Sequence, residues 1–359
     1  MGSVALGCRR VALIGAITTT MLAGHAWAAN PKPKPKPGSK PAASFTLQWV
    51  GDMALSTERG LPPGGFLGAV HAMRGYLGSA DLTVGNLEGT LSVGGVSKCG
   101  AGAGGGTCFA FQAPPAYAEQ LHTAGFDLVN QANNHSMDYG ESGRIQTLAA
   151  LRRAGVKQTG LPGEITTMRV KTAKIAFVGF APYAFDADLL DIPAAQALIR
   201  RARRRARVVV VLIHAGAEGA DRDHTPYGEE HFLGEDRGDP RAFAHAAIDA
   251  GASLVLGSGP HVIRGVERYR GRPIAYSLGN FIGYHTLSGG GLLSESGIFR
   301  VTLSDKGGLL AARWISVRLS DGLPHPEGDN AAAHLVAGLS REDFPTRHFD
   351  IAADGLFRL

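Results

Sequence analysis

The sequence predicts an α/β domain. Three observations carry that prediction. A helix, an Ala-Gly step and an apolar strand recur in "LHTAGFDLVN", "LRRAGVKQTG" and "AIDAGASLVLG". Further apolar runs, "KIAFVGFAPY" and "RVVVVLIH", read as buried strands. The 359 residues, 44% apolar with 50 glycines, suffice for a full core with many turns.

In chain order, "FTLQWV" (Phe45–Val50) is the first strand. "GFLGAVHAMRGYLGSA" follows as a helix, because Phe66, Val70, Met73 and Leu77 share one face at helical spacing. "DLTVGNLE" (Asp81–Glu88) is the next strand, completing a β-α-β start. Gly125, Gly155 and Gly251 stand where a left-handed residue ends a helix. "VIRGVERYRGRPIAYSLGNF" reads as a hairpin turning at Arg270-Gly271, its first arm alternating in exposure. "SGIFRVTL" and "LLAARWISVRL" continue as strands, and the chain after about Asp321 reads as loop and short helix.

The first residues read as a signal peptide: Arg9-Arg10, the apolar "VALIGAITTTMLAG" and a small-x-small "AWA" predict cleavage after Ala28. "PKPKPKPGSKP" then favours an extended polyproline II spacer. The expected division is signal peptide 1–28, Pro/Lys-rich linker 29–44, domain 45–320, and a tail 321–359 packing on or extending it. This places the protein outside the cytoplasm, as secreted, periplasmic or cell-envelope, with membrane association only through the N-terminal segment. The net charge of +5 also changes meaning, since residues 1–43 hold six basic residues and no acid. The remainder has 30 basic against 31 acidic residues. The basic balance is therefore no sign of nucleic-acid binding. The arginines of "LIRRARRRARVVVV" read as a solvated helix face, with no aromatic interleaving for base stacking. Cys99 and Cys108 flank a glycine-rich stretch, and an oxidising compartment predicts a disulfide between them.

Polar residues end the apolar strands: Asp52, Asn86 and Glu88, Asn134 and His135, His214 and Glu218, His261, and Asn280. In open α/β sheets, ligands lie beyond the carboxyl ends of strands, so these side chains are expected to converge. Carboxylates with imidazoles suit Mn, Fe or Zn, one ion or two. Asp138 reads first as a helix cap, forming a D-x-x-E box with Glu141, rather than as a partner of His135. Asn86 reads as closing its own turn. The stretch from Ala215 to Asp239 reads as a rim over the site, with His224, Glu229, Glu230, His231 and Arg237 as contact candidates.

"GDM", "NLEG", "NNHSMDYG", "IHAGAE", "GPHV" and "YSLGNF", in this order over about Leu47 to Phe281, resemble the CapA/PgsA-type capsule synthesis family. That family is linked to poly-gamma-glutamate and has the fold of calcineurin-like metallophosphoesterases. The resemblance implies a four-layer αββα sandwich of two mixed β-sheets flanked by helices. It implies Asp52 and His261 on a first metal, Asn134 and His214 on a second, Glu88 bridging, and His135 as general acid. Gly259 stands where many relatives have a further His, and Met53 and Ala54 follow Asp52 where the phosphoesterases complete Asp-x-His. Fewer imidazoles imply weaker metal binding, or one ion. Two functions follow: a metal-dependent hydrolase acting on an envelope-associated substrate, or a non-catalytic capsule assembly or export factor that binds polymer. The expected partner is an anionic envelope polymer or a phosphorylated small molecule.

Overall fold

A computed structural model describes residue 2 and residues 43–56, 60–100, 108–287 and 290–359. The expected cleavage site and the spacer up to Pro41 lie outside the described residues. No helix among them is long and apolar enough to cross a membrane. The folded unit spans Ala42–Leu359.

Two sheets form its centre. The first runs, edge to edge, through Leu323–Pro326, Leu309–Ser320, Glu295–Ser304, Ser44–Ala54, Leu82–Leu87, Leu128–Asn130 and Lys157–Thr159, with Asn280–Gly283 also pairing to Ser44–Ala54. The second runs through Val266–Tyr269, Arg272–Ala275, Leu254–Ser258, Val208–His214, Ala173–Phe180 and Thr166–Val170. Strand side chains alternate between faces, so each strand feeds two cores. Leu47, Trp49, Val84 and Leu128 of the first sheet pack on Phe177, Val210, Leu212 and Leu256 of the second. The opposite face of the first sheet, with Val50, Met53 and Val129, is covered by Phe66, Leu121 and Leu151 from helices. The opposite face of the second, with Val178, Val211 and Val255, is covered by Ile199 and Phe243. The result is the four-layer αββα sandwich. The indole Nε1 of Trp49 ties the layers directly, donating to the Gly257 carbonyl at 3.1 Å.

Most elements lie where the sequence puts them. Gly125, Gly155 and Gly251 have φ of 103°, 79° and 112°. Arg270 and Gly271 both have positive φ, turning Val266–Tyr269 antiparallel onto Arg272–Ala275. The first arm does not alternate, however: Glu267 is buried, bound by His245, Tyr276 and Arg347. The expected helix over 65–80 is also broken, into Gly65–Ala69, a 3-10 turn His71–Met73 and Arg74–Leu77. Glycines at 68, 75 and 78 lower its helix propensity, and burial of Phe66, Val70, Met73 and Leu77 holds the segment in place instead. After residue 321 the chain forms a helix, Ala331–Asp343, whose Ala332, Ala333, Val336 and Leu339 join the inter-sheet core. The disulfide joins Cys99 and Cys108.

Parallel pairing sets the site. Asp52 is in register with Asn280 on one side and Asn86 on the other, and Asn86 with Asn130. In the second sheet, His214 is in register with Ser258. Polar residues therefore occupy one level across both sheets, at the carboxyl ends of their central strands. Gly51 permits the crossing there, because a Cβ would collide with the Gly279 carbonyl.

Candidate metal centre

Asp52 lies at the bottom of the site and is fully buried. Its Oδ1 accepts from Asn86 Nδ2 at 2.8 Å, and its Oδ2 from the Gly259 backbone N–H at 3.1 Å. Asn86 is the hub of an amide network rather than the closer of its own turn. Its Oδ1 accepts from Asn130 and Asn133 at 3.1 and 3.2 Å. Asn133 in turn donates to the Leu87 carbonyl and accepts from the His135 N–H. These amides end an apolar strand because they carry the backbone that presents Asn134 and His135.

Each imidazole is oriented by a polar partner, leaving its other nitrogen towards the centre. His261 Nδ1 donates to Asn280 Oδ1 at 2.9 Å, while Nε2 lies 3.7 Å from Glu88 Oε1 and 3.5 Å from Glu218 Oε2. His214 Nδ1 contacts Ser258 Oγ at 3.2 Å and Asn86 Nδ2 at 3.3 Å. His135 Nδ1 donates to Asp138 Oδ2 at 2.8 Å, and its Nε2 lies 3.9 Å from Glu88 Oε1. The His261 backbone is left-handed, φ 63°, a strained conformation for a side chain of this size.

Asp138 is not a helix cap. It is buried and occupied by His135, by the Phe111 N–H at 2.6 Å and by Lys98 Nζ at 2.7 Å, while the helix Gly140–Ala154 starts without a side-chain cap. Phe111 stacks on the His135 ring at 4.3 Å. His224 does not reach the site. It is exposed and bound to Asp343 at 2.8 Å, because Asp343 also takes the Thr225 N–H and draws this part of the loop outward. Glu230 is buried in a pair with Arg264, and Glu229 and His231 are exposed. Glu218 and Arg237 do line the site, joined at 2.7 Å. The sequence reading missed Lys98, Phe111 and Ser258, whose partners are set by the fold and carry no local motif, and it gave no role to Asn133 although that residue opens the stretch "NNHSMDYG".

The unsatisfied atoms test whether these residues fit a cation. Both carboxylate oxygens of Glu88, Asn134 Oδ1 and His214 Nε2 are buried without a hydrogen-bond partner. Leaving such groups unpaired is costly. Ligand atoms of Asp52, Glu88 and His214 lie within 4.8 Å of one another. This carboxylate, imidazole and amide set fits a divalent transition metal.

Without a cation, protons take up the imbalance. Burial, then the neighbouring Asp52 charge, pushes the Glu88 carboxyl well above its usual range. Burial also opposes charge on Asp52, but His214 and His261 outweigh it and hold that carboxyl far below the ordinary range. Burial opposes charge on His261 too, yet Glu88, Asp52 and Glu218 raise it well above a free imidazole. Glu218 falls to about 2 despite burial, through His261 and Arg237. Burial lowers His135, outweighing Asp138.

Gly259 explains the missing imidazole. Its φ is 116°, and a Cβ there would lie 2.9 Å from the Ala215 nitrogen. A backbone N–H to Asp52 takes the place of a side-chain ligand. Above the cluster opens a cavity of about 690 Å³, lined by Asn134, His135 and Glu218, with Tyr183, Phe232 and Arg237 on its walls.

A family model described as bacterial capsule synthesis protein PGA_cap matches residues 46–285. The chain is 32% identical over 183 residues to PGA biosynthesis protein CapA of Bacillus subtilis (strain 168), covering 45% of this chain and 44% of that protein. It is 30% identical over 181 residues to capsule biosynthesis protein CapA of Bacillus anthracis, covering 44% and 40%. The matched part is thus less than half the length of either relative. Among solved structures, a 5′-nucleotidase precursor from Thermus thermophilus superposes with a TM-score of 0.44 at 14% identity, covering 83% of this chain and 59% of that one. The family match covers more than half of the chain and includes every strand-end residue of the cluster, and the chain belongs to the bacterial capsule synthesis protein family PGA_cap.

Proposed function

We propose that this chain is a metal-dependent hydrolase of the cell envelope, cutting a phosphoester or related bond in capsule or exopolymer metabolism. One observation carries the reading. Buried ligand groups from two sheets, with Glu88 and His214 unsatisfied, sit beside an oriented imidazole under an open cavity. Asp52, Glu88, His214, His261 and Asn134 would hold one ion or two, of Mn, Fe or Zn. When bound, the ion supplies Lewis acidity and makes nearby water more acidic. Glu88 reaches from the first sheet towards His261 of the second and sets the span between them. Gly259 N–H and Asn86 Nδ2 fix both Asp52 oxygens in place. His135 binds no ion in this scheme. Its Nδ1–H is committed to Asp138, so Nε2 is the free nitrogen that first takes a proton released by the attacking water and then passes it to the leaving oxygen. Phe111 covers one face of that ring and excludes water from it.

Gly259 favours a second reading, because one imidazole fewer weakens the site. In that reading the chain is a non-catalytic factor that binds an anionic polymer during capsule assembly; the names of its relatives supply the capsule setting alone. Metal analysis of the full chain, with a generic phosphodiester assay, separates the two. The hydrolase reading expects bound metal and turnover abolished by His135→Ala. Metal-free protein without turnover, with polyglutamate binding unchanged in Asp52→Ala, would establish the second.

A further inference from the structure

The other end of the sandwich has a different character. Strand Val208–His214 carries His214 into the site, and its seven residues span roughly 20 Å. At its start the helix Ile192–Arg205 delivers Arg200, Arg201, Arg203, Arg204 and Arg205, and Arg207 follows just before the strand, all six exposed. Among the described residues no carboxylate lies within ion-pair distance of any of the six. Arg203 Nη1 binds the Arg207 carbonyl. Arg272 Nη1 binds the carbonyl of Gly307, whose hairpin carries exposed Lys306. Of the nearby acids, Asp249 is held by Arg270 at 3.0 Å, and Asp305 lies in the same hairpin as Lys306.

The helix dipole accounts for cations in the last turn of this helix. It does not account for Arg200, Arg201, Arg207 or Lys306. Like charges packed without acids repel one another, so the cluster costs stability unless something anionic faces it.

Where the chain enters the fold indicates what faces it. The Asp305 N–H donates to the Ala43 carbonyl at 2.9 Å, so the first strand begins beside this hairpin. Lys32, Lys34, Lys36 and Lys40 precede that point in the sequence. A lysine-rich segment therefore joins the fold at its arginine-rich end. This end lies a full strand length from the cavity, so it does not line a route to the site.

We propose that the arginine-bearing end of the sandwich is a docking face for an anionic lipid bilayer, holding the cavity end away from the surface. The proposal is independent of the metal centre. Clusters of basic residues bind anionic headgroups with about a fivefold gain per charge near the surface, and salt screens the effect.

Vesicle flotation of the full chain tests it. Vesicles of phosphatidylcholine alone are compared with vesicles containing phosphatidylglycerol, over a salt series. The quadruple variant R200Q/R201Q/R204Q/R205Q alters only exposed side chains and is expected to melt as the wild type does. It should bind the anionic vesicles at least tenfold more weakly, while neutral vesicles bind neither protein appreciably. A second variant, K32Q/K34Q/K36Q/K40Q, isolates the share of the lysine-rich spacer. Equal binding of the arginine variant and wild type would overturn the proposal, as would loss of all binding in the lysine variant alone. Equal wild-type binding to neutral and anionic vesicles would also overturn it. So would soluble polyglutamate binding lost in the arginine variant while vesicle binding is kept, which would make this a polymer face.

Discussion

The loop from Ala215 to Asp239 supplies Glu218 and Arg237 to the cavity, and one buried ion pair holds it down. Arg264 and Glu230 have side chains 1% and 5% exposed. The guanidinium grips both carboxylate oxygens, at 2.8 and 2.7 Å, and its Nε donates to the Arg222 carbonyl at 2.7 Å. Glu230 Oε2 also accepts the Ala217 N–H at 3.0 Å, and its backbone pairs with Arg237 and Gly238. Arg264→Met keeps most of the packed volume but strands the carboxylate and two loop carbonyls. Breaking a buried pair in this way costs about 3–5 kcal/mol. For a domain of this size that lowers Tm by about 5–10 °C. Cleavage sites for a protease added at low dose should appear within 215–239 before the rest of the chain is cut. Arg264→Met/Glu230→Leu removes both charges together and should regain most of the loss. Differential scanning calorimetry on the three proteins reads these effects. A single variant melting within about 2 °C of wild type, or a double variant no better than the single, would refute the idea that this pair fastens the rim.

Glu88→Gln should reduce the metal retained after purification by at least tenfold, read by elemental analysis. Chelation should then lower the wild-type Tm, by the equivalent of about 2.7 kcal/mol for an ion at a hundred times its Kd, and leave the variant's Tm unmoved. Gly259→Ala should cost about 1–3 kcal/mol through its positive φ and the close Ala215 nitrogen, and Gly259→His should not raise metal affinity. Unchanged melting in the first variant, or tighter metal in the second, counts against the backbone account. The Asp186 carboxyl is pushed up to about 8 by burial. Its folded pKa lies above the unfolded one, so its contribution is fully present below about pH 4 and lost as pH rises towards 8. Asp186→Asn should therefore gain on wild type steadily between those limits, by about 2 kcal/mol or more at pH 8. Parallel stability curves in urea would exclude this.

The layers were legible because the apolar runs are near-continuous, as strands buried on both faces require, and because glycine marks the helix ends at 125, 155 and 251. The helix over 65–80 was misread because its apolar spacing is helical while its glycines are not; burial in the outer core decided between them. At the site, strand-end position found Asp52, Glu88, His135, His214 and His261, since a polar residue at the end of a buried strand has few other uses. The local patterns, a D-x-x-E box and a turn, gave Asp138 and Asn86 the wrong roles, because each residue's immediate context fits a cap or a turn equally well. Their partners, Phe111 and Lys98 for one and Asn130 and Asn133 for the other, are chosen by tertiary packing. His224 was drawn in by its place in the rim loop, and Asp343, 119 residues away, took it out.

Asp52 and His214 lie in strands of opposite sheets, Glu88 and His261 on the segments that follow a strand of each, and Trp49 spans the gap between the sheets. An ion seated among these four would rivet the halves of the sandwich. Its affinity is then partly a measure of how closely two walls of hydrocarbon approach. Trimming a valine or phenylalanine deep between them could loosen the ion without touching a ligand, and tighter packing there could strengthen a centre that lacks an imidazole. Selection on such interior residues offers the chain a way to tune its chemistry from a distance.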